Sequence, residues 1–390
     1  MIFPFSLSRH RRTARTIRSG ALALALATAL PAGAAPPVDA TAAQATATAQ
    51  ATAVPDSRSY RGCTEKPGMQ AIRAYPGVYN FYYENDLFTG SDNNYTNGIK
   101  LSWVSSNLQD YVSDPCLPVW VRRLNRLSEV LKPGGYDSRN MVVTLGQAMY
   151  TPTDLHRRDL IKNDRPYAGW LYLGLAYNAR NTLQMDTTEI DIGVVGPASL
   201  ARQSQNFVHD LRGFERFEGW DNQLHNELGV QIVRERKNKL FVSRNQSGPQ
   251  FDLISHYGAS LGNVKTYLNG GVELRFGHLP DDFGTASIRP GADSNAPLEA
   301  NQSRRLNSSG VHVFLALDGR AVARDIFLDG NTFGSSHSVA KKHLVGDAAL
   351  GVSWQWEGGK VSYAQYLRSK EFYGQDSSHG YGSLTLSLEY

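Results

Sequence analysis

The densest group of side chains able to do chemistry is Glu84-Asn-Asp-Leu-Phe-Thr-Gly-Ser-Asp-Asn-Asn-Tyr-Thr-Asn-Gly98. Carboxylates, amides and hydroxyls packed this closely are hard oxygen donors, the kind Ca²⁺ takes. No EF-hand spacing is present. Asp, Asn, Gly and Ser also dominate ordinary turns, so composition alone favours a hydrophilic loop across a first hairpin. A second group is Gln205-Asn-Phe-Val-His209-Asp-Leu-Arg-Gly-Phe-Glu215. A histidine there could act as general base, because its pKa lies near the working pH. With ten histidines in the chain, a merely solvated ring is the plainer reading. Gly258-Ala-Ser-Leu-Gly262 matches the serine elbow G-x-S-x-G, which requires a strand-to-helix turn. Here β-type sequence lies on both sides, so a hairpin turn is expected and Ser260 is set aside as nucleophile. Walker, Rossmann and HExxH motifs are absent.

The elements that would carry these groups alternate with period two. Tyr79, Phe81 and Tyr83 fall on one face, and Asn80, Tyr82, Glu84 and Asp86 on the other. Ile99, Leu101 and Trp103 oppose Gly98, Lys100 and Ser102. Similar segments lie around 141–150, 167–179, 185–195, 224–234, 250–262, 266–277, 309–327, 341–357, 360–372 and 380–390, which makes 12 in all. Turn signals such as Asn178-Ala-Arg-Asn181, Gly262-Asn263 and Glu357-Gly358-Gly359 separate several of them. Segments of about 9–11 residues with one apolar face suit an all-β, antiparallel transmembrane barrel of about 12 strands. A soluble sandwich is the competing fold. The barrel is favoured by aromatic residues at strand ends, among them Trp103, Trp170, Tyr172, Trp354 and Trp356, and by a last strand that alternates strictly to Tyr390. Closure would also remove exposed sheet edges.

Two stretches interrupt the pattern. Residues 115–132 read as an amphipathic helix with Val119, Leu124, Leu127 and Leu131 roughly on one face. Residues 197–222 read as a polar, partly helical loop. If the first strand runs outward, the 107–140 connection is periplasmic, the 197–222 loop is outer, and the chain ends back in the periplasm. Cys63 and Cys116 then share a side, where an oxidising compartment permits a disulfide; two unpaired thiols are the alternative.

Residues 1–34 carry Arg9, Arg11, Arg12, Arg15 and Arg18, then the apolar Gly20–Leu30, then Ala32-Gly33-Ala34: a secretory signal peptide. Residues 35–70 are Ala/Thr/Pro-rich and are expected to be a disordered leader, leaving 71–390 as the barrel domain. The 390-residue precursor has a net charge of +4, and losing the five arginines takes it to −1. That removes any case for nucleic acid, and a monomer is expected. Two cysteines are too few for a disulfide scaffold or a four-ligand zinc site. No run of about 18 apolar residues exists, which excludes a helical membrane protein.

Taken in order, Glu84-Asn-Asp86, Asp92-Asn-Asn-Tyr-Thr-Asn-Gly98, Gly146-Gln-Ala-Met-Tyr-Thr-Pro152, Asp164-Arg-Pro-Tyr-Ala-Gly-Trp170, Gly193-Val-Val-Gly-Pro197, Gln205-Asn-Phe-Val-His209 and Glu215 resemble the outer-membrane lipid A 3′-O-deacylases. The resemblance covers roughly 75–390. It implies a 12-stranded barrel in the bacterial outer membrane that removes the 3′-linked acyloxyacyl group from lipid A of lipopolysaccharide, with calcium dependence. Matched by position, it implies Asn85, Thr96, Gln205, His209 and Glu215 as catalytic residues and Asp86 as the Ca²⁺ ligand. His209 would take the proton of an attacking water, oriented by Glu215 or Gln205. Arginines such as Arg165, Arg202 and Arg212 would meet anionic lipid A. Strict alternation places Asn85 and Asp86 on opposite faces, so both can serve only at a bulge or strand end. The competing readings are an outer-membrane phospholipase with a Ser/His/Asn site and a non-catalytic porin or structural barrel.

Overall fold

Regular alternation closes on itself here. In the computed structural model, residues 77–390 are described except 90–93, 109, 115 and 116, 128–131, 137, 244–247 and 285–308. The expected signal peptide, the leader, Cys63 and Cys116 lie outside the described residues. Twelve antiparallel strands form a closed barrel, each paired with its sequence neighbours and the first with the last. They are β1 (Val78–Asn85), β2 (Asn94–Val104), β3 (Ser138–Thr151), β4 (Ala168–Arg180), β5 (Gln184–Val195), β6 (Glu227–Val242), β7 (Gln250–Gly262), β8 (Lys265–Gly277), β9 (Gly310–Asp325), β10 (Leu344–Trp356), β11 (Gly359–Arg368) and β12 (His379–Glu389). Three α-helices accompany them among the described residues: α1 (Val119–Leu127), α2 (Ala201–Arg212) and the single turn α3 (Ile326–Asp329). None of these is long and apolar enough to cross a membrane.

The period-two pattern sorts directly into wall faces. On the outside, Phe81, Leu101, Leu145, Leu173 and Ile192 pair strand by strand into one lateral row of exposed apolar side chains. Inside, the lumen is filled. Tyr95, Tyr150, Trp170, Tyr172, Tyr381 and Phe327 make a buried aromatic cluster towards one end. Ion pairs continue it: Asp347 holds both Arg320 (2.5 Å) and Arg368 (2.8 Å), and Glu371 holds Arg165 (3.1 Å). Towards the other end, the segment after β8 turns inward, with Asp282 between Arg275 and Lys360 and Phe283 beneath Lys239.

Several expectations change. Trp170 and Tyr172 are not girdle residues; their parity in β4 turns them into the lumen, where they stack at 4.1 Å. Trp103 and Trp354 do sit on the outer face, Trp103 Nε1 donating to Tyr390 Oη at 2.5 Å. Gly258–Gly262 is the end of β7 rather than a turn, and Ser260 Oγ donates to the Lys265 carbonyl across the hairpin. Helix α1 is shorter than expected. It packs through Asn125 and Val121, leaving Val119, Leu124 and Leu127 exposed.

Candidate active site on the outer wall

The first hairpin solves the alternation problem at its tip. β1 ends at Asn85, and a 3₁₀ turn, Asp86–Thr89, follows at once, so Asn85 and Asp86 are not held to opposite faces. The Leu87 amide donates to Asn85 Oδ1 (2.8 Å), and Thr89 Oγ1 donates to the Asp86 carbonyl (2.7 Å) and the Gly380 carbonyl (2.8 Å). Asp86 is fully buried. Across the hairpin, the register of β2 against β3 jumps from Tyr95 to Asn97, so Thr96 is the extra residue of a β-bulge. Tyr95 therefore stays in the lumen, while Thr96 bonds Thr151 on the outer face, hydroxyl to hydroxyl at 2.7 Å.

Asn85, Asn97, Met149 and Gly169 are successive register partners across β1–β4, on the outer surface. Helix α2 lies over this row. Gly169 permits the contact: a Cβ there would sit 2.2 Å from Ser199 Oγ and 2.3 Å from Ala201 Cβ. Gln147 Nε2 donates to the Ser199 carbonyl (2.6 Å), and Met149, Ala201, Tyr167, Phe217 and Trp220 share a small core. The buried positions of α2 are Ala201, Gln205 and His209, each four apart, which is one helical face. Gly213 ends the helix at φ 70°, where a residue with a Cβ would be strained.

Between wall and helix lies a cavity of about 20 Å³ lined by Asn85, Leu87, Thr96, Asn97, Ile99, Met149, Ser204, Gln205, Val208 and His209. Four of the five expected catalytic residues thus line one space, brought from β1, β2 and α2. Asp86 is adjacent in sequence to one of them and is not among the lining residues. Glu215 does not enter with its carboxylate. That group is 74% exposed and lies 3.4 Å from His156. Its main-chain carbonyl oxygen instead meets His209 Nδ1 at 2.5 Å. A carbonyl only accepts, so Nδ1 carries the proton of the neutral ring and Nε2 carries the lone pair. The Glu215 segment is tied back to the helix by Arg216 Nε on Asp210 Oδ1 (2.7 Å), and Arg216 holds the Asp210 carboxyl below the usual carboxylate range. Gln205 does not orient His209; its Oε1 accepts from Trp220 Nε1 at 2.7 Å.

Sequence reasoning missed Asn97, Met149, Ser204, Val208 and the brace Trp220. The i, i+4 spacing of 204/208 and 205/209 was the available signal for the helical four. The arginines expected to meet a lipid headgroup also divide. Arg165 is buried between Glu371 and the Tyr150 ring, whereas Arg202 pairs with exposed Asp221 and Arg212 lies over Phe214.

For a cation, the donors on hand are hard oxygens. Asn97 Oδ1 is buried and accepts no hydrogen bond among the described residues, an oxygen left for a ligand. No group of three His, Cys, Asp or Glu side chains is arranged around a metal position among those residues. The oxygen donors lining the cavity, the amides of Asn85 and Asn97 and the hydroxyl of Thr96, with the Asp86 carboxylate next to them in sequence, are the kind Ca²⁺ takes and zinc does not.

A model of the LpxR outer membrane protein family matches residues 35–390. Among solved structures, LpxR from Salmonella typhimurium superposes with a TM-score of 0.62 at 18% identity, covering 80% of this chain and 100% of that one. The toluene transporter TodX of P. putida gives a TM-score of 0.31 at 9% identity over 82% and 92% of the two chains. No curated protein matches the sequence.

Proposed function

Since the chain belongs to the LpxR outer membrane protein family, we propose that it is a calcium-dependent ester hydrolase removing the 3′-linked acyloxyacyl group from lipid A. The observation that carries this reading is the position of the cavity. It opens on the outside of a membrane barrel, one margin above the apolar row, where an acyl ester of a lipid arrives without leaving the leaflet.

Within that cavity His209 Nε2 takes a proton from water as the water oxygen bonds to the ester carbon. The ring becomes a cation, and its Nδ1–H remains on the Glu215 carbonyl, which holds the ring plane and accepts the shared charge. Collapse of the tetrahedral intermediate breaks the bond to the sugar oxygen, which recovers the proton from Nε2. Asn85 Oδ1 is occupied by the Leu87 amide, so the amide N–H groups of Asn85 are what it offers a carbonyl or water. Thr96 is fixed by Thr151 for the same purpose. Bound Ca²⁺, with Asp86 as carboxylate ligand, would supply positive charge for the developing oxyanion. No serine nucleophile is required. A filled lumen supports this reading over a porin, since a 12-stranded barrel conducts only when its interior is open.

The test is mass spectrometry of lipid A from cells expressing wild type or His209→Ala, with and without a calcium chelator. Loss of the 3′ acyl groups only in calcium-replete wild type is expected. Intact lipid A alongside fatty acid released from phospholipids would instead establish the phospholipase.

A further inference from the structure

Helix α1 has no part in the cavity, yet it is built like a membrane-surface element. Its sequence is Val-Trp-Val-Arg-Arg-Leu-Asn-Arg-Leu, three arginines and no acid. One side is fastened to the outer wall through a single polar lock. Asn125 Nδ2 donates to the Tyr111 carbonyl (2.6 Å), and Tyr177 Oη donates to Asn125 Oδ1 (2.9 Å). Val121 packs beside it against Tyr111, Met141 and Tyr177. At 100° per residue the rest of the helix divides in two. Trp120, Leu124 and Leu127 form one flank, 69%, 45% and 85% exposed. Arg122, Arg123 and Arg126 form the other, with the exposed Val119 among them, and Arg122 Nε is buried with no hydrogen-bond partner among the described residues.

The register places this helix. Met141 and Tyr177 are partners in β3 and β4, four residues from Leu145 and Leu173 of the apolar row. Met149 and Gly169, beneath α2, are partners four residues from that row on its other side. The two helices therefore clasp the same wall eight residues apart, about 26 Å along the strands. That is close to the height of the lipid-facing band of such barrels, so α1 sits at one margin of the band when α2 sits at the other. The exposed apolar flank of α1 is thus carried on the same outer wall as the exposed row, four residues from it, and its arginine flank is complementary to anionic headgroups.

We propose that α1 is an interfacial helix docked on the leaflet opposite the cavity, with Trp120, Leu124 and Leu127 in the acyl layer and Arg122, Arg123 and Arg126 on the phosphates of anionic phospholipid. This places the β2–β3 end, which also carries both ends of the barrel sheet, on the periplasmic side. The occupant is the bilayer rather than a second copy of the chain, because the helix is anchored at the margin of an apolar wall that lipid already covers.

The full-length protein reconstituted in phosphatidylcholine vesicles tests this. The emission of Trp120 is isolated as the difference between wild type and Trp120→Phe, with gel heat-modifiability confirming that each variant is folded. Brominated phosphatidylglycerol and brominated phosphatidylcholine are then compared as quenchers at equal mole fraction. The expected result is at least twofold quenching of the Trp120 component, stronger with phosphatidylglycerol. That preference should vanish in Arg122→Gln/Arg123→Gln/Arg126→Gln while quenching itself persists. A Trp120 component that neither lipid quenches overturns the docking, and does so most plainly if cross-linking then captures a dimer through α1. Equal quenching by both lipids in wild type overturns the anionic preference. Neither result bears on deacylation.

Discussion

At the residue scale, the decisive contact is between a side chain and a main-chain atom. His209 Nδ1 meets the Glu215 carbonyl, while the Glu215 carboxylate faces solvent beside His156. The two residues should therefore respond differently to substitution. His209→Ala removes the proposed base and is expected to lower deacylation by roughly 10²–10⁴-fold. Glu215→Gln keeps the carbonyl and is expected to retain at least about tenfold more activity than His209→Ala, since the hydrogen bond that fixes the tautomer survives. Rates measured on purified lipopolysaccharide in detergent decide it. Equal losses in the two variants would mean that the carboxylate swings in. This distinction was not legible in the sequence. Spacing brought His209 and Glu215 to attention as a pair, but spacing does not reveal which atom of a residue makes the contact.

At the element scale, how closely α2 approaches the wall sets the geometry of the cavity, and that is decided by a residue with no side chain. A Cβ at Gly169 would collide with Ser199 and Ala201, so Gly169→Val must lift the start of α2 while the barrel hydrogen bonds of β4 remain. A displacement of about 1 Å at reacting groups costs on the order of 100-fold in rate. The expected outcome is that loss with unchanged heat-modifiable migration; a variant that keeps its activity would show that α2 is not the positioning element. The brace at the other end predicts a milder effect. Trp220→Phe keeps an aromatic ring in the core but removes the donor to Gln205 Oε1. Such a buried hydrogen bond contributes about 1 kcal/mol, and roughly a five-fold fall in activity is expected. Alternation and the breaks around Asn85 and 197–222 made the strands, the helix-bearing loop and the hairpin tip readable beforehand. The bulge at Thr96 was not readable, because one extra residue changes which face follows without changing composition.

At the scale of the whole molecule, the lumen is where residue chemistry is spent on the fold rather than on the reaction. Faces could be read from alternation, but not which face was inside when both carried aromatics, as with Trp170 and Tyr172. Nor could burial of the loop residue Arg165 be foreseen, because its partner lies 206 positions away. That partner, Glu371, closes a network. It takes Arg165 at 3.1 Å and Arg368 at 3.5 Å, while Arg368 and Arg320 share Asp347. Burial by itself would raise the Glu371 carboxyl, but Arg368 and Arg165 outweigh it and hold the group well below the usual carboxylate range. A carboxyl whose folded pKa is depressed contributes stability that is present at neutral pH and is lost as pH falls below the unfolded value, near about 4.3, towards the folded one. Glu371→Gln removes the charge and leaves the buried guanidinium of Arg165 without its partner. That should cost on the order of 3–5 kcal/mol at neutral pH. The gap between variant and wild type should then narrow as the pH is lowered from 7 to 3, because only the wild type has this carboxylate to lose. Urea midpoints of the heat-modifiable form in vesicles at the two pH values measure it. A gap that stays constant would place the origin of acid sensitivity elsewhere in the lumen.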